Sequence, residues 1–108
     1  MHFSPGVSTS PLLSLASLAA RTRNLRLATT SLLLPIHDPL RIAEEIASLD
    51  QLSHGRVIIG LGRGFRPALF SAFGIDPREK RDRFDAALDL ILSAWRGESV
   101  SLQGTPFE

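Results

Sequence analysis

Apolar and polar positions change period several times along the chain. From Pro11 to Arg21, Leu12, Leu13, Leu15, Ala16, Leu18 and Ala19 fill most of a helical wheel, and Ser10-Pro11 supplies an N-cap and a first-turn proline. This spacing predicts a helix covered on most sides, ended by Thr22 to Asn24. Leu25 to Ser31 then alternates, with Leu25, Leu27 and Thr29 on one face and Arg26, Ala28 and Thr30 on the other, the pattern of a strand. Leu32 to Leu34 carries it into a loop at Pro35, which cannot donate to an interior ladder. Asp38-Pro39 repeats the start signal, and the helix that follows runs to about Leu52. Ile42, Ala43, Ile46, Ala47 and Leu49 form its apolar stripe, opposite Arg41, Glu44, Glu45, Ser48 and Gln51. Asp50 falls inside the stripe, so it is expected to accept hydrogen bonds from the next turn or to pair with Arg56.

Ser53-His54-Gly55 closes this helix, with a glycine suited to a left-handed residue and His54 expected in solvent. Arg56 to Gly62 is a second strand. Val57, Ile59 and Leu61 share one face, while Gly60 and Gly62 strip the other and leave room for something flat or bulky. One helical turn is expected around Pro67 to Phe73, anchored by Phe65, Phe70 and Phe73. Pro77 to Arg96 is the last helix, with Phe84, Leu88, Ile91 and Trp95 as a core stripe flanked by Ala87 and Leu92. Val100 to Gln103 suggests a short extended arm, and Met1 to Thr9 reads as irregular, with a turn at Pro5-Gly6.

A helical crossover between two strands implies that they are parallel. The class is therefore α/β, with two parallel strands and three main helices. Two parallel strands are marginal alone and want cover on both faces, so residues 1–108 read as a piece of one larger α/β domain. The length of 108 residues allows one small domain at most, and a hydrophobic share of 44% suits a chain that buries a core. No apolar run reaches the ~18 residues of a membrane span. No basic residue precedes the apolar part of residues 1–20, so a secretory leader is not expected and a cytoplasmic location is. The absence of cysteine excludes disulfides and thiolate metal sites, and a net charge of +1 with interspersed signs gives no nucleic-acid footprint.

The best candidate for chemistry is Gly60-Leu61-Gly62-Arg63-Gly64, at the C-terminal end of a parallel strand, where α/β folds place ligands. Backbone amides there can face an anion, and an arginine fork suits phosphate. The segment lacks dinucleotide-fingerprint spacing and the lysine of a P-loop, so a plain glycine-rich turn with a surface arginine is the competing reading. Thr29-Thr30-Ser31, at the same end of the first strand, could offer hydroxyls to a ligand; ordinary β-propensity explains threonine there equally. No pair of carboxylates recommends itself for acid–base work, no serine sits in a nucleophile elbow, and His2, His37 and His54 lack metal-ligand spacing. No catalytic and no metal-binding residue is assigned within the chain.

Several segments together resemble the luciferase-like monooxygenases, the bacterial luciferase family of flavin-dependent oxidoreductases. Leu18 to Leu27 resembles the family's helix-to-strand passage, and Leu34-Pro35-Ile36-His37-Asp38-Pro39 resembles its next loop and helix start. Leu49-Asp50-Gln51-Leu52-Ser53-His54-Gly55-Arg56 followed by Gly60-Leu61-Gly62-Arg63-Gly64 is the most specific part, continued by Phe73-Gly74-Ile75-Asp76 and Arg83-Phe84. The resemblance implies a partial (β/α)8 TIM barrel, since the family domain has about 250 residues. It implies FMN, or alternatively a deazaflavin, at the C-terminal mouth. Arg63 is then expected on the flavin phosphate, Gly62 near the isoalloxazine ring, and Thr30-Ser31 at a non-prolyl cis peptide supporting that ring. Some members carry Glu-His-His-Phe with a catalytic first histidine; His2-Phe3 matches the end of that motif, and the catalytic position falls on Met1. Many members have His-Pro where Asp38-Pro39 stands here, so no role is carried over to His37.

Three readings follow. In the first, the chain belongs to an enzyme that oxidises a small organic substrate with reduced flavin and oxygen. In the second, the 108 residues are an inactive truncation or a partner-dependent piece, with exposed sheet edges open to homo-oligomerisation. In the third, the chain is an independent nucleotide-binding module built on the glycine-rich turn.

Overall fold

The computed structural model describes residues 10–108; the readings that fall on Met1 to Thr9, including the Met1 position and His2-Phe3, lie outside the described residues. Helix α1 (Pro11–Arg21), strand β1 (Leu27–Leu33), helix α2 (Pro39–Leu52), strand β2 (Val57–Gly62), helix α3 (Pro67–Ala72) and helix α4 (Lys80–Trp95) follow in order. Single 3-10 turns occupy Leu34–Ile36 and Pro77–Glu79. β1 and β2 pair in a two-stranded sheet. The Leu27 amide donates to the Arg56 carbonyl at 2.9 Å, and Thr29 meets Gly60, so both strands advance in one direction and are parallel.

The chain forms two compact units. The first comprises the described part of Met1–Leu32 together with Glu44–Leu61. Its core joins Leu15 and Ala19 of α1, Leu27 of β1 and Leu49 of α2, with Leu12, Ala16 and Val57 packed against them. The apolar first helix thus buries one stripe only, and Leu13 and Leu18 remain exposed. The Arg56 guanidinium ties this unit together. Its Nε donates to Ser53 O (2.7 Å), Nη1 to Thr22 Oγ1 (2.7 Å) and Leu25 O (2.9 Å), and Nη2 to Ala19 O and Thr22 O (both 3.1 Å). Thr22 Oγ1 in turn donates to Leu18 O at 2.7 Å, so orphan carbonyls at the end of α1 are satisfied by side chains.

The second unit comprises Leu33–Ala43 and Gly62–Glu108. Ile36, Leu69 and Phe70 form a core cluster, with Leu33 and Ile75 against it, and α4 packs on the 3-10 turn Leu34–Ile36. Arg83 Nε donates to Pro35 O (2.8 Å), and its guanidinium lies 4.5 Å from the Phe107 ring centroid. Asp38 caps α2 as expected, its Oδ1 accepting from the Leu40 amide at 2.9 Å.

Several expectations are corrected. Asp50 is exposed and makes no pair with Arg56, whose donors go to carbonyls and Thr22; only its main-chain carbonyl serves the turn, accepting from Gly55 N (2.9 Å). The covered arc of α2 narrows from Ile42 and Ala43 to Ile46 and Leu49, which leaves Ala47 and Asp50 outside it. Of the three phenylalanines expected as anchors Phe70 is buried, whereas Phe65 is 78% and Phe73 47% exposed. The buried stripe of α4 is Ala87, Leu90 and Ile91, one register step from the expected one, with Trp95 half-exposed and its Nε1 donating to Ala43 O at 3.0 Å. Leu102 and Gln103 lie in a turn, so the arm expected over Val100 to Gln103 is not extended throughout. The helices number four among the described residues, the short α3 standing where one helical turn is expected.

Candidate functional site

The candidate residues lie at the C-terminal ends of both strands, and each end is set by local rules. At the end of β1, Thr29 is buried (4% exposed), Thr30 exposed and Ser31 half-buried, as alternation requires. The Thr30–Ser31 peptide bond is cis, as the resemblance implies. The Thr29 hydroxyl is not offered to a ligand. Its Oγ1 accepts from Gly60 N and donates to Gly60 O, both at 2.9 Å. Gly60 is explained by the same contact. A Cβ there would collide with the Thr29 carbonyl oxygen, so its missing side chain makes room for the neighbouring strand and not for a ligand.

At the end of β2, Gly62 is the last strand residue and is half-buried. Arg63 follows it, exposed, and its guanidinium makes no hydrogen bond or ion pair with any of the described residues. Arg56 shows what a structural arginine looks like here, with all three nitrogens engaged. Arg63 shares an open fork with Arg21, Arg23, Arg26 and Arg81, and of these it is the one placed directly after the C-terminal end of a strand. Gly64 carries the turn with φ +81°, a conformation that glycine adopts without penalty, and a Cβ there would press on the Phe70 ring at 3.2 Å. Lys80 Nζ donates to the Gly64 carbonyl at 3.4 Å, a long tether between the start of α4 and this turn.

Of the residues singled out in sequence, the first unit therefore holds Thr30 and Ser31 beside the Thr29–Gly60 contact, and the second holds Gly62 and Arg63. Sequence patterns do not show the Lys80 tether or the two hydrogen bonds between Thr29 and Gly60; the glycine opposite a strand threonine is the available signal for the latter. Among the described residues no group of three or more histidine, aspartate or glutamate side chains could hold a metal ion, and no helix is long and apolar enough to cross a membrane.

Elsewhere in the second unit, Asp76 accepts from the Arg78 amide (2.9 Å) and from its guanidinium (Nη2 to Oδ2, 2.8 Å). These bonds hold the Asp76 carboxyl below its ordinary value; Arg96, bonded to Glu98, does the same there.

Comparison with known proteins gives a consistent result. The model of the luciferase-like monooxygenase family matches residues 1–108. The 4-hydroxyprotoasukamycin monooxygenase of Streptomyces nodosus subsp. asukaensis is 41% identical over 83% of this chain and 25% of its own length. The crystal structure of a monooxygenase from Streptomyces bottropensis matches with a TM-score of 0.85 and 41% identity, over 92% of this chain and 30% of that one. The oxygenating constituent of 3,6-diketocamphane monooxygenase from Pseudomonas putida, a type II Baeyer-Villiger monooxygenase in complex with FMN, matches with a TM-score of 0.77 and 28% identity, over 82% and 26% of the two chains. The chain thus spans about a quarter to a third of the length of the proteins it matches. Its motifs, its paired parallel strands and the family match over its whole length lead to one conclusion: the chain belongs to the luciferase-like monooxygenase family.

Proposed function

We propose that the chain is part of the (β/α)8 barrel of a flavin-dependent monooxygenase, and that its strand ends hold FMN while a small organic substrate is oxidised. A deazaflavin is the alternative cofactor. Reduced FMN, when bound, supplies two electrons, so that one atom of dioxygen enters the substrate and the other leaves as water. The chain's own residues bind and orient. Arg63 would hold the phosphate by a charge-assisted, bidentate contact. The backbone of Thr30 and Ser31 would support the flat ring, and Gly62, having no side chain, would leave room for it.

The observation that carries the reading is the exposed guanidinium of Arg63, without a partner among the described residues and placed directly after a parallel strand in a chain of this family. That donor chemistry fits a phosphate. FMN titrated into the protein, with flavin fluorescence as the signal, tests it. Arg63→Ala is expected to weaken binding by roughly tenfold or more, the scale of one hydrogen bond to a charged group. Unchanged affinity would remove Arg63 from the site.

A further inference from the structure

We infer that Thr29 is a positioning residue for the flavin: its buried hydroxyl, bridging the amide and the carbonyl of Gly60, sets the place of the Thr30–Ser31 backbone beside it. This rests on the flavin reading above and deepens it. A hydroxyl has one proton and two lone pairs, so Thr29 Oγ1 can accept from Gly60 N and donate to Gly60 O at once, and it does both at 2.9 Å. The Thr29 backbone abuts the same residue, because a Cβ at position 60 would meet its carbonyl oxygen. Side chain and main chain of Thr29 therefore converge on one glycine of the neighbouring strand. Neither Thr30 nor Ser31 makes a side-chain hydrogen bond among the described residues, so the Thr29 hydroxyl is the side-chain tie nearest that backbone. With Thr29 itself 4% exposed, it acts through its neighbours and not by touching a ligand. Threonine meets the requirement more fully than either close relative: serine keeps the hydroxyl without the methyl, and valine keeps the shape without donor or acceptor.

The test compares the protein with its Thr29→Val and Thr29→Ser variants. FMN affinity is read by fluorescence quenching, the bound flavin by its visible absorption, and the Gly60 amide by hydrogen exchange without flavin. Thr29→Ser is expected to bind within about twofold of the parent, with the parent's absorption bands. Thr29→Val is expected to bind about tenfold more weakly, with displaced bands and a Gly60 amide that exchanges at least about tenfold faster. A valine variant with faster exchange but parental affinity and spectrum overturns the inference and leaves the flavin reading standing. Weaker binding with an unchanged spectrum assigns Thr29 to stability alone and overturns it too. A parent protein that binds no FMN overturns both. Should Thr29→Val fail to fold, Thr29→Ala against Thr29→Ser is read by the same criteria.

Discussion

Replacing Arg56 should cost more stability than replacing any other arginine among the described residues. Its guanidinium makes five hydrogen bonds, four of them to main-chain carbonyls (Ser53, Leu25, Ala19 and Thr22) and one to Thr22 Oγ1. Each bond involving a charged group contributes about 1.5–3 kcal/mol net when measured singly. Five bonds from one side chain do not add, because removing the side chain ends them together and exposed acceptors such as the Leu25 carbonyl rehydrate. The charge also sits at the C-terminus of α1, where a cation contributes about 0.3–1 kcal/mol. Weighing these, Arg56→Ala should destabilise by about 2–4 kcal/mol, a large part of the roughly 5–15 kcal/mol of a typical domain. Arg56→Lys should recover only part of this, since an ammonium has three donors and no planar fork. Urea unfolding followed by far-UV circular dichroism measures the difference. An alanine variant within about 0.5 kcal/mol of the parent, or a lysine variant equal to it, would show that the Arg56 bonds do not stabilise the fold.

Two further predictions come from Gly60 and from the exposed carboxylates. Gly60→Ala should destabilise by about 2–3 kcal/mol through collision with the Thr29 carbonyl, whereas Gly55→Ala, with φ +78° and nothing nearby, should cost only about 1 kcal/mol; equal unfolding midpoints would contradict this. Asp76 and Glu98 are held below their ordinary values by Arg78 and Arg96, so each contributes stability above the unfolded carboxylate value that is lost as pH falls through the lowered folded one. The urea midpoint should therefore decline below about pH 4, less steeply in Asp76→Asn and less steeply in high salt, and an identical acid limb in parent and variant would remove Asp76 from the account.

Boundaries written in short-range chemistry were legible in the sequence. Asp38-Pro39 starts α2 and Gly55 follows its end, because capping and a left-handed glycine depend on residues a few places apart. Alternation located β1 and β2 to within two residues, and the crossover gave their parallel sense. What stayed hidden depends on which neighbours arrive from far along the chain. The stripe of α4 could be read one step off because Leu90 and Trp95 are both apolar, and only packing decides which is covered. Asp50 looked buried because a helical wheel assumes a covered arc of constant width. Gly60 and Gly62 looked alike in sequence, yet Gly60 answers to a carbonyl 31 residues earlier. Of the candidate site, Arg63 and the Thr30–Ser31 pair could be picked out by resemblance, whereas the bridging role of Thr29 required both strands in place.

The central claim is that the turn after β2 presents Arg63 to a flavin phosphate. Paired titrations of FMN and riboflavin, which differ by that phosphate, into the protein and into Arg63→Ala test it most directly. The parent is expected to prefer FMN by roughly tenfold or more, and the variant to lose most of this preference while its riboflavin affinity stays put. A variant that keeps the parent's preference for FMN would contradict it.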